Sequence, residues 1–356
     1  QVTDHWVSYD QTVLGVTFSP DSTTVVSSEG THVRSREMGA KSLDSMGERH
    51  TFPVYGIDVS PDGQIIATAG GPSILLWSVN SGLPIERLPP DGLKKVAVAF
   101  VGDGRRLLYS TEGGKVRVWH LDTHRFGPTL NGHGGKVYSL AVSPDYRLVA
   151  TASSDKTIKI WDLNSGDLVN TLRGHTRDVQ TVVFTRDGRH VISGSMDYHI
   201  KVWNLENGQE VFSRKAHELP VHTIDVHPDK PIIASTGWDG WVHLWSLDGL
   251  EKIRSIRPGR KGSRSIGVAF SPGGETLAVS SSDGTLYVWS MDDAPPHKLT
   301  GHDGELNLVR FHPGGDQVVT SSDDKTARLW SISTKENVWF GRVILPSQGW
   351  FFTHRG

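Results

Sequence analysis

Between Gly132 and Asp162 three short apolar runs, Val137–Val142, Leu148–Ala152 and Ile158–Trp161, alternate with turn residues. The runs are rich in β-branched residues, which predicts strand, turn, strand, turn, strand. Ser143-Pro144-Asp145 makes the first turn, because proline presets φ for a turn's first corner and aspartate caps the backbone two residues on. Ser154-Asp155-Lys156 makes the second. Three strands of this kind cannot bury both of their faces alone, so something else has to cover them.

Copies of the same unit supply the cover. Tryptophans stand at 77, 119, 161, 203, 245, 289 and 330, at gaps of 42, 42, 42, 42, 44 and 41. The turn after the first strand recurs eight times, centred on Pro20, Pro61, Gly102, Pro144, Arg186, Pro228, Pro272 and Pro313. Ser35 occupies the place of the missing tryptophan, 42 before Trp77, so the first unit is degenerate. The Gly-His pairs Gly132-His133, Gly174-His175 and Gly301-His302 open the regular units, and Trp161-Asp162 closes one. A period in the low forties with these signatures resembles the WD-repeat (tryptophan–aspartate repeat) β-propeller family. The resemblance implies an all-β chain forming a single eight-bladed propeller of four-stranded antiparallel blades. Seven blades with an irregular first unit is the alternative. The propeller is expected over residues 9–336, after an N-terminal extension at 1–8. Residues 337–356 would supply the last blade's outer strand and an aromatic tail. Val2–Trp6 and Asn337–Gly341 compete for that outer position, and Asn337–Gly341 is the expected occupant because it follows in sequence.

Composition narrows the function classes. The 356 residues include no cysteine, which excludes disulfides and thiol chemistry and suits a reducing, cytoplasmic setting. No run of 18 apolar residues exists to suggest a membrane helix. A formal net charge of −2 gives no global reason to expect nucleic acid or an anionic membrane as partner. There is no initiator methionine and no recognisable signal sequence, which reads as a chain trimmed at its start. The resemblance, since such propellers usually accompany other domains, implies one module of a larger protein.

The resemblance also implies a buried hydrogen-bonded tetrad in each regular blade, joining a loop histidine, a serine or threonine, a turn aspartate and the strand tryptophan. The residues are His133, Thr151, Asp155 and Trp161; His175, Ser193, Asp197 and Trp203; His217, Ser235, Asp239 and Trp245; and His302, Thr320, Asp324 and Trp330. An orphaned member of such a chain costs more than each bond contributes, so members should come and go together. They do: the seventh unit has Lys261 for histidine and Val279 for the hydroxyl, and the third has Asp91 and Tyr109. The second keeps His50 beside Ala67. A set recurring once per blade at fixed offsets reads as structure, and no catalytic residue is assigned.

Other chemistry is thin. Gly132–Val137 lacks the first glycine and the hydroxyl residue of a phosphate loop, and no zinc-protease, nucleophile-elbow or calcium-loop motif occurs. Four of the 17 histidines belong to the tetrads and most of the others are scattered one per loop, so no metal and no cofactor are expected. One charge cluster stands out, with Lys252, Arg254, Arg257, Arg260, Lys261 and Arg264 within thirteen residues and no acid among them. It reads as a solvated loop or as an anion site for phosphate, acidic peptide or a nucleic-acid backbone.

In the family, partners touch positions three and five after the loop histidine and just before the turn aspartate. Carried over, these are Lys136, Tyr138 and Ser154 in the fourth unit; Asp178, Gln180 and Met196 in the fifth; and Pro220, His222 and Trp238 in the sixth. The seventh supplies Arg264, Ile266 and Ser282, the second Pro53 and Tyr55, the third Lys94, Val96 and Glu112, and the eighth Glu305, Asn307 and Asp323. Tyr138, Met196, His222 and Trp238 are expected to form one apolar patch with Lys136 and Arg264 at its edges, unless Trp238 folds onto Trp241. The expectation is a non-enzymatic scaffold for a protein or peptide partner, with no small-molecule substrate. A quinoprotein-dehydrogenase type of propeller and the basic loop are the alternatives.

Overall fold

The computed structural model describes residues 13–18, 24–29, 32–37, 44–45, 54–60, 62, 65–70, 72–78, 84–89, 93–291, 296–311, 315, 317–322, 327–332 and 337–341. Val2–Trp6, His50, Pro53, Asp91, Asp323, Asp324 and the tail beyond Gly341 lie outside them. Among the described residues every element is a strand, and the strands form eight antiparallel sheets of four, each a simple meander.

The fourth sheet shows the construction. Its strands are Val137–Val142, Leu148–Ser153, Thr157–Asp162 and Leu168–Arg173. Ser143 and Asp145 close the first turn, the Ser143 hydroxyl donating to the Asp145 carboxylate and accepting from Leu148 N–H. The middle strands are buried on both faces, whereas the outer strand exposes Leu168 and Val169. The first strands of the eight sheets begin at Val13, Val54, Lys95, Val137, Val179, Val221, Ser265 and Leu306. Each packs against the next, and the first sheet's strand packs in turn against the eighth sheet, so the circuit closes as in a β-propeller. The eighth sheet takes Asn337–Gly341 as its outer strand.

The faces are covered as the repeat requires. Hydrophobic clusters lie between consecutive sheets: Ile158, Ile160 and Leu172 of the fourth meet Val179, Val191 and Trp203 of the fifth. Ile192, Ile200 and Val202 of the fifth then meet Ile224, Ile233 and Trp245 of the sixth. Each regularly spaced tryptophan from 119 onwards therefore fills the gap toward the preceding sheet. Burying a side chain of that size contributes on the order of 2–3 kcal/mol.

Candidate interaction surface

In the fourth, fifth, sixth and eighth sheets, tetrad residues fix the end where the loops gather. In the fourth sheet His133 Nδ1 lies 2.7 Å from Asp155 and its Nε2 2.7 Å from the Thr151 hydroxyl, which accepts from Trp161 Nε1 at 2.9 Å. The fifth repeats this through His175, Asp197, Ser193 and Trp203, at 2.8, 2.8 and 2.9 Å. The sixth does so through His217, Asp239, Ser235 and Trp245, at 3.0, 2.9 and 3.0 Å. In the eighth, His302, Thr320 and Trp330 are joined.

The direction of the protons follows from the donors available. Hydrogen bonds hold the Asp155 and Asp197 carboxyls below the usual range against their desolvation, Asp197 at about 2, so both are acceptors only. Burial lowers His133 and His175, leaving neutral rings. Nδ1–H therefore donates to aspartate, the hydroxyl donates to Nε2, and the indole N–H donates to the hydroxyl oxygen. The aspartate also accepts from the backbone beside the histidine, as Gly134 N–H does to Asp155 and Thr176 N–H to Asp197. It thereby ties loop to turn. Thr151, Ser193, Ser235 and Thr320 are 0% exposed, so none of these hydroxyls can meet a substrate.

Where the hydroxyl is absent, Trp119 and Trp289 leave their buried indole N–H groups without a partner among the described residues. The seventh sheet adds a substitution that sequence reading missed. Tyr287, two residues before Trp289, stacks on that indole and donates to Asp283 at 3.1 Å.

The positions assigned to partner contact come together through two backbone devices. The N–H just before the turn aspartate donates to the carbonyl three residues after the histidine position. These bonds are Glu112 to Lys94, Ser154 to Lys136, Met196 to Asp178, Trp238 to Pro220 and Ser282 to Arg264, at 2.8–3.1 Å. The second device is a β-bulge in the first strand of every sheet. Val137 pairs with Ser153 and Ser139 with Ala152, which leaves Tyr138 as the extra residue. The extra residue is Gln180 in the fifth sheet, His222 in the sixth, Asn307 in the eighth and Tyr55 in the second. In the seventh it falls within Ile266-Gly267, and in the third within Val96-Ala97. A bulge re-aims the side chain it carries, and bulges concentrate beside functional sites.

The side chains then form stations around the loop end of the ring. Lys94 and Lys136 flank Glu112 at 3.8 and 3.9 Å. Tyr138 donates to Asp178 at 3.1 Å, and burial followed by that carboxylate raises its pKa. Gln180 and Met196 are half-buried. His222 bonds the Ile266 carbonyl at 3.0 Å, and burial lowers its pKa. Its ring centre lies 6.2 Å from that of half-buried Trp238, and the Arg264 guanidinium stands 5.8 Å from the same indole while donating to Glu305 at 2.6 Å. Trp238 does not fold onto Trp241, which stacks on His243 at 5.9 Å. His222, Trp238 and Arg264 are brought together, whereas Tyr138 is tied to Asp178, so polar links divide the expected apolar patch.

The basic cluster also separates. Lys252 stands 5.1 Å over Trp245 and Arg257 stands 5.5 Å over Trp241, while Arg264 belongs to the Trp238 group. Only Arg260 and Lys261 project at the loop tip, where both are exposed. Among the described residues no group of three or more His, Asp and Glu is placed to hold a metal.

Comparison with known proteins agrees with the geometry. The chain is 30% identical over 91 residues to Protein tipD of Dictyostelium discoideum, which is 25% of this chain and 15% of that protein. It is 35% identical over 65 residues to the Target of rapamycin complex subunit wat1 of Schizosaccharomyces pombe, 18% of this chain and 21% of that one. The matches thus span about a fifth or less of these relatives' lengths. The family model described as "WD domain, G-beta repeat" matches residues 42–78, 125–162, 166–204, 208–246, 253–290 and 294–331. These six matches cover more than half of the chain and each ends one residue after a sheet's own tryptophan, and the chain therefore belongs to the WD domain, G-beta repeat family.

Proposed function

We propose that this chain is an eight-bladed propeller, one blade per four-stranded sheet, acting as a non-enzymatic scaffold for a protein or peptide partner on its loop-bearing end. One observation carries the reading. Trp238, a half-buried indole, is held at that end by His222 of the neighbouring bulge and by Arg264 of the next sheet. Large aromatics held rigidly beside arginine match the composition of interaction hot spots. The hydroxyls of the histidine–aspartate sets are 0% exposed, which argues against a hydrolytic use of the same residues. A relative named as a subunit of a complex fits the same kind of role.

Quantitative affinity capture from a native cell extract tests it, comparing the wild type with Trp238→Ala and with Tyr146→Ala. Tyr146 is exposed in a turn at the opposite end of its sheet. Partners lost with Trp238→Ala and kept with Tyr146→Ala support the reading. Equal capture by all three sinks it.

A further inference from the structure

The segment between the sixth sheet's outer strand, Lys252–Ile256, and the seventh sheet's first strand, Ser265–Phe270, differs from its counterparts. Trp245 and Trp289 are 44 residues apart where the preceding gaps are 42, and the extra two residues fall in this loop. In the regular sheets a histidine turns inward here and its imidazole bonds the buried hydroxyl. Pro258-Gly259-Arg260-Lys261-Gly262 has no such anchor.

The loop is anchored sideways instead. Arg257 lies over Trp241 and donates to the Asp239 carbonyl at 3.4 Å, while Arg264 lies against Trp238 and donates to Glu305. Ser263 N–H donates to the Arg260 carbonyl at 3.0 Å, which closes the tip into a turn. Ser263 also presses its carbonyl onto Gly240, where φ is +81° and a Cβ would collide with that oxygen. A loop fixed at both shoulders thus presents Arg260 and Lys261 outward. Neither makes an ion pair among the described residues, whereas Arg264 has Glu305. Two cations held close together on a pinned turn raise the local potential for an anion without an ordering cost at binding.

We infer that this loop is a docking site for an acidic peptide segment of a protein partner, with Arg260 and Lys261 pairing its carboxylates and the Trp238 indole receiving an adjacent apolar side chain. The inference rests on the scaffold reading and names its partner's chemistry. A peptide fits better than a nucleic acid. The projecting charge is two cations on a protein of net charge −2, and the nearby Arg264 is already paired with Glu305, so the loop lacks the extended basic track a phosphate backbone needs.

The test is fluorescence anisotropy of the full chain with a labelled glutamate-rich dodecapeptide carrying one leucine. It compares wild type, the double variant Arg260→Glu/Lys261→Glu, Trp238→Ala and the distant control Arg186→Glu. Binding should weaken by about tenfold or more in the double variant and on raising salt from about 50 to about 300 mM, because exposed charge pairs are screened. The control should bind as wild type does, and the double variant and the control should keep the wild-type thermal midpoint. Undiminished peptide binding by the double variant, absence of binding at low salt, or tighter binding of an oligothymidylate than of the peptide each overturns the inference. If the double variant still captures the extract partners that Trp238→Ala loses, the loop assignment falls and the scaffold reading stands.

Discussion

Tyr287 donates its phenolic hydroxyl to Asp283 at 3.1 Å and so gives the seventh sheet the aspartate partner that histidine supplies elsewhere. Burial, and then the Asp283 charge, push the phenol up to about 12, so it remains a donor at neutral pH. Tyr287→Phe keeps the ring stacked on Trp289 and removes the hydroxyl with its bonds to Asp283 and Thr285. The change should cost about 1–2 kcal/mol, read as a lower urea midpoint at unchanged slope. An unchanged midpoint would show that the Thr285 N–H bond to Asp283 suffices alone.

The tetrads were legible in the sequence because their members stand at fixed offsets, ten residues from hydroxyl to tryptophan and 22 from histidine to aspartate. Tyr287 was not, because it reaches Asp283 from a position that holds Lys159, Lys201 or His243 in other sheets. The bulges were hidden too: an extra residue such as Tyr138 or Gln180 leaves no mark in an apolar run. The basic cluster showed its charge but not its geometry, since only contacts in space fold Arg257 and Arg264 back onto Trp241 and Trp238.

Removing a tetrad histidine should cost more than removing an exposed one. His175→Ala strands the Ser193 hydroxyl and a buried carboxylate that hydrogen bonds hold at about 2. A loss of roughly 1–3 kcal/mol is expected in the fifth sheet. His124, exposed and bonded only to Glu86, should cost little when replaced by alanine. Equal losses of thermal midpoint in the two variants would contradict the role assigned to the tetrad.

Acid should destabilise the protein in a predictable window. His243 is packed 4.6 Å from His217, ring centre to ring centre, against Trp241 and Trp245, and its buried Nδ1 has no partner among the described residues. Burial, then the charges of His217 and Lys252, lower its pKa to about 3. A depressed histidine contributes stability that is complete above the unfolded value near 6.5 and is lost as pH falls toward 3, because the unfolded chain takes up the proton first. Each such group adds a slope of up to about 1.4 kcal/mol per pH unit. His243→Gln should therefore flatten the fall in unfolding free energy between pH 7 and about 4, with the loss tied to Asp197 remaining below the ordinary carboxylate range. Parallel curves for variant and wild type would show that His243 does not titrate as its burial requires.

Two tryptophans separate binding from folding. Trp203 is 1% exposed, bonds Ser193 and fills the gap between the fourth and fifth sheets, so Trp203→Ala should cost about 3–5 kcal/mol of stability. Trp238 is half-buried, and its ring contacts are His222 and Arg264, both outside any tetrad. Trp238→Ala should cost no more than about 1–2 kcal/mol, well short of Trp203→Ala, since the cation–π and ring contacts of this half-buried indole are worth only ~0.5–1 kcal/mol each. Its effect should fall on the partner, weakening binding by about 2 kcal/mol or more, near thirtyfold, because hot spots concentrate affinity in a few rigid aromatics. Titration of a captured partner against the purified variant measures the binding term, and urea unfolding measures the folding term. A variant that unfolds readily while its folded fraction binds normally would make Trp238 a packing residue and remove the main support for the scaffold surface.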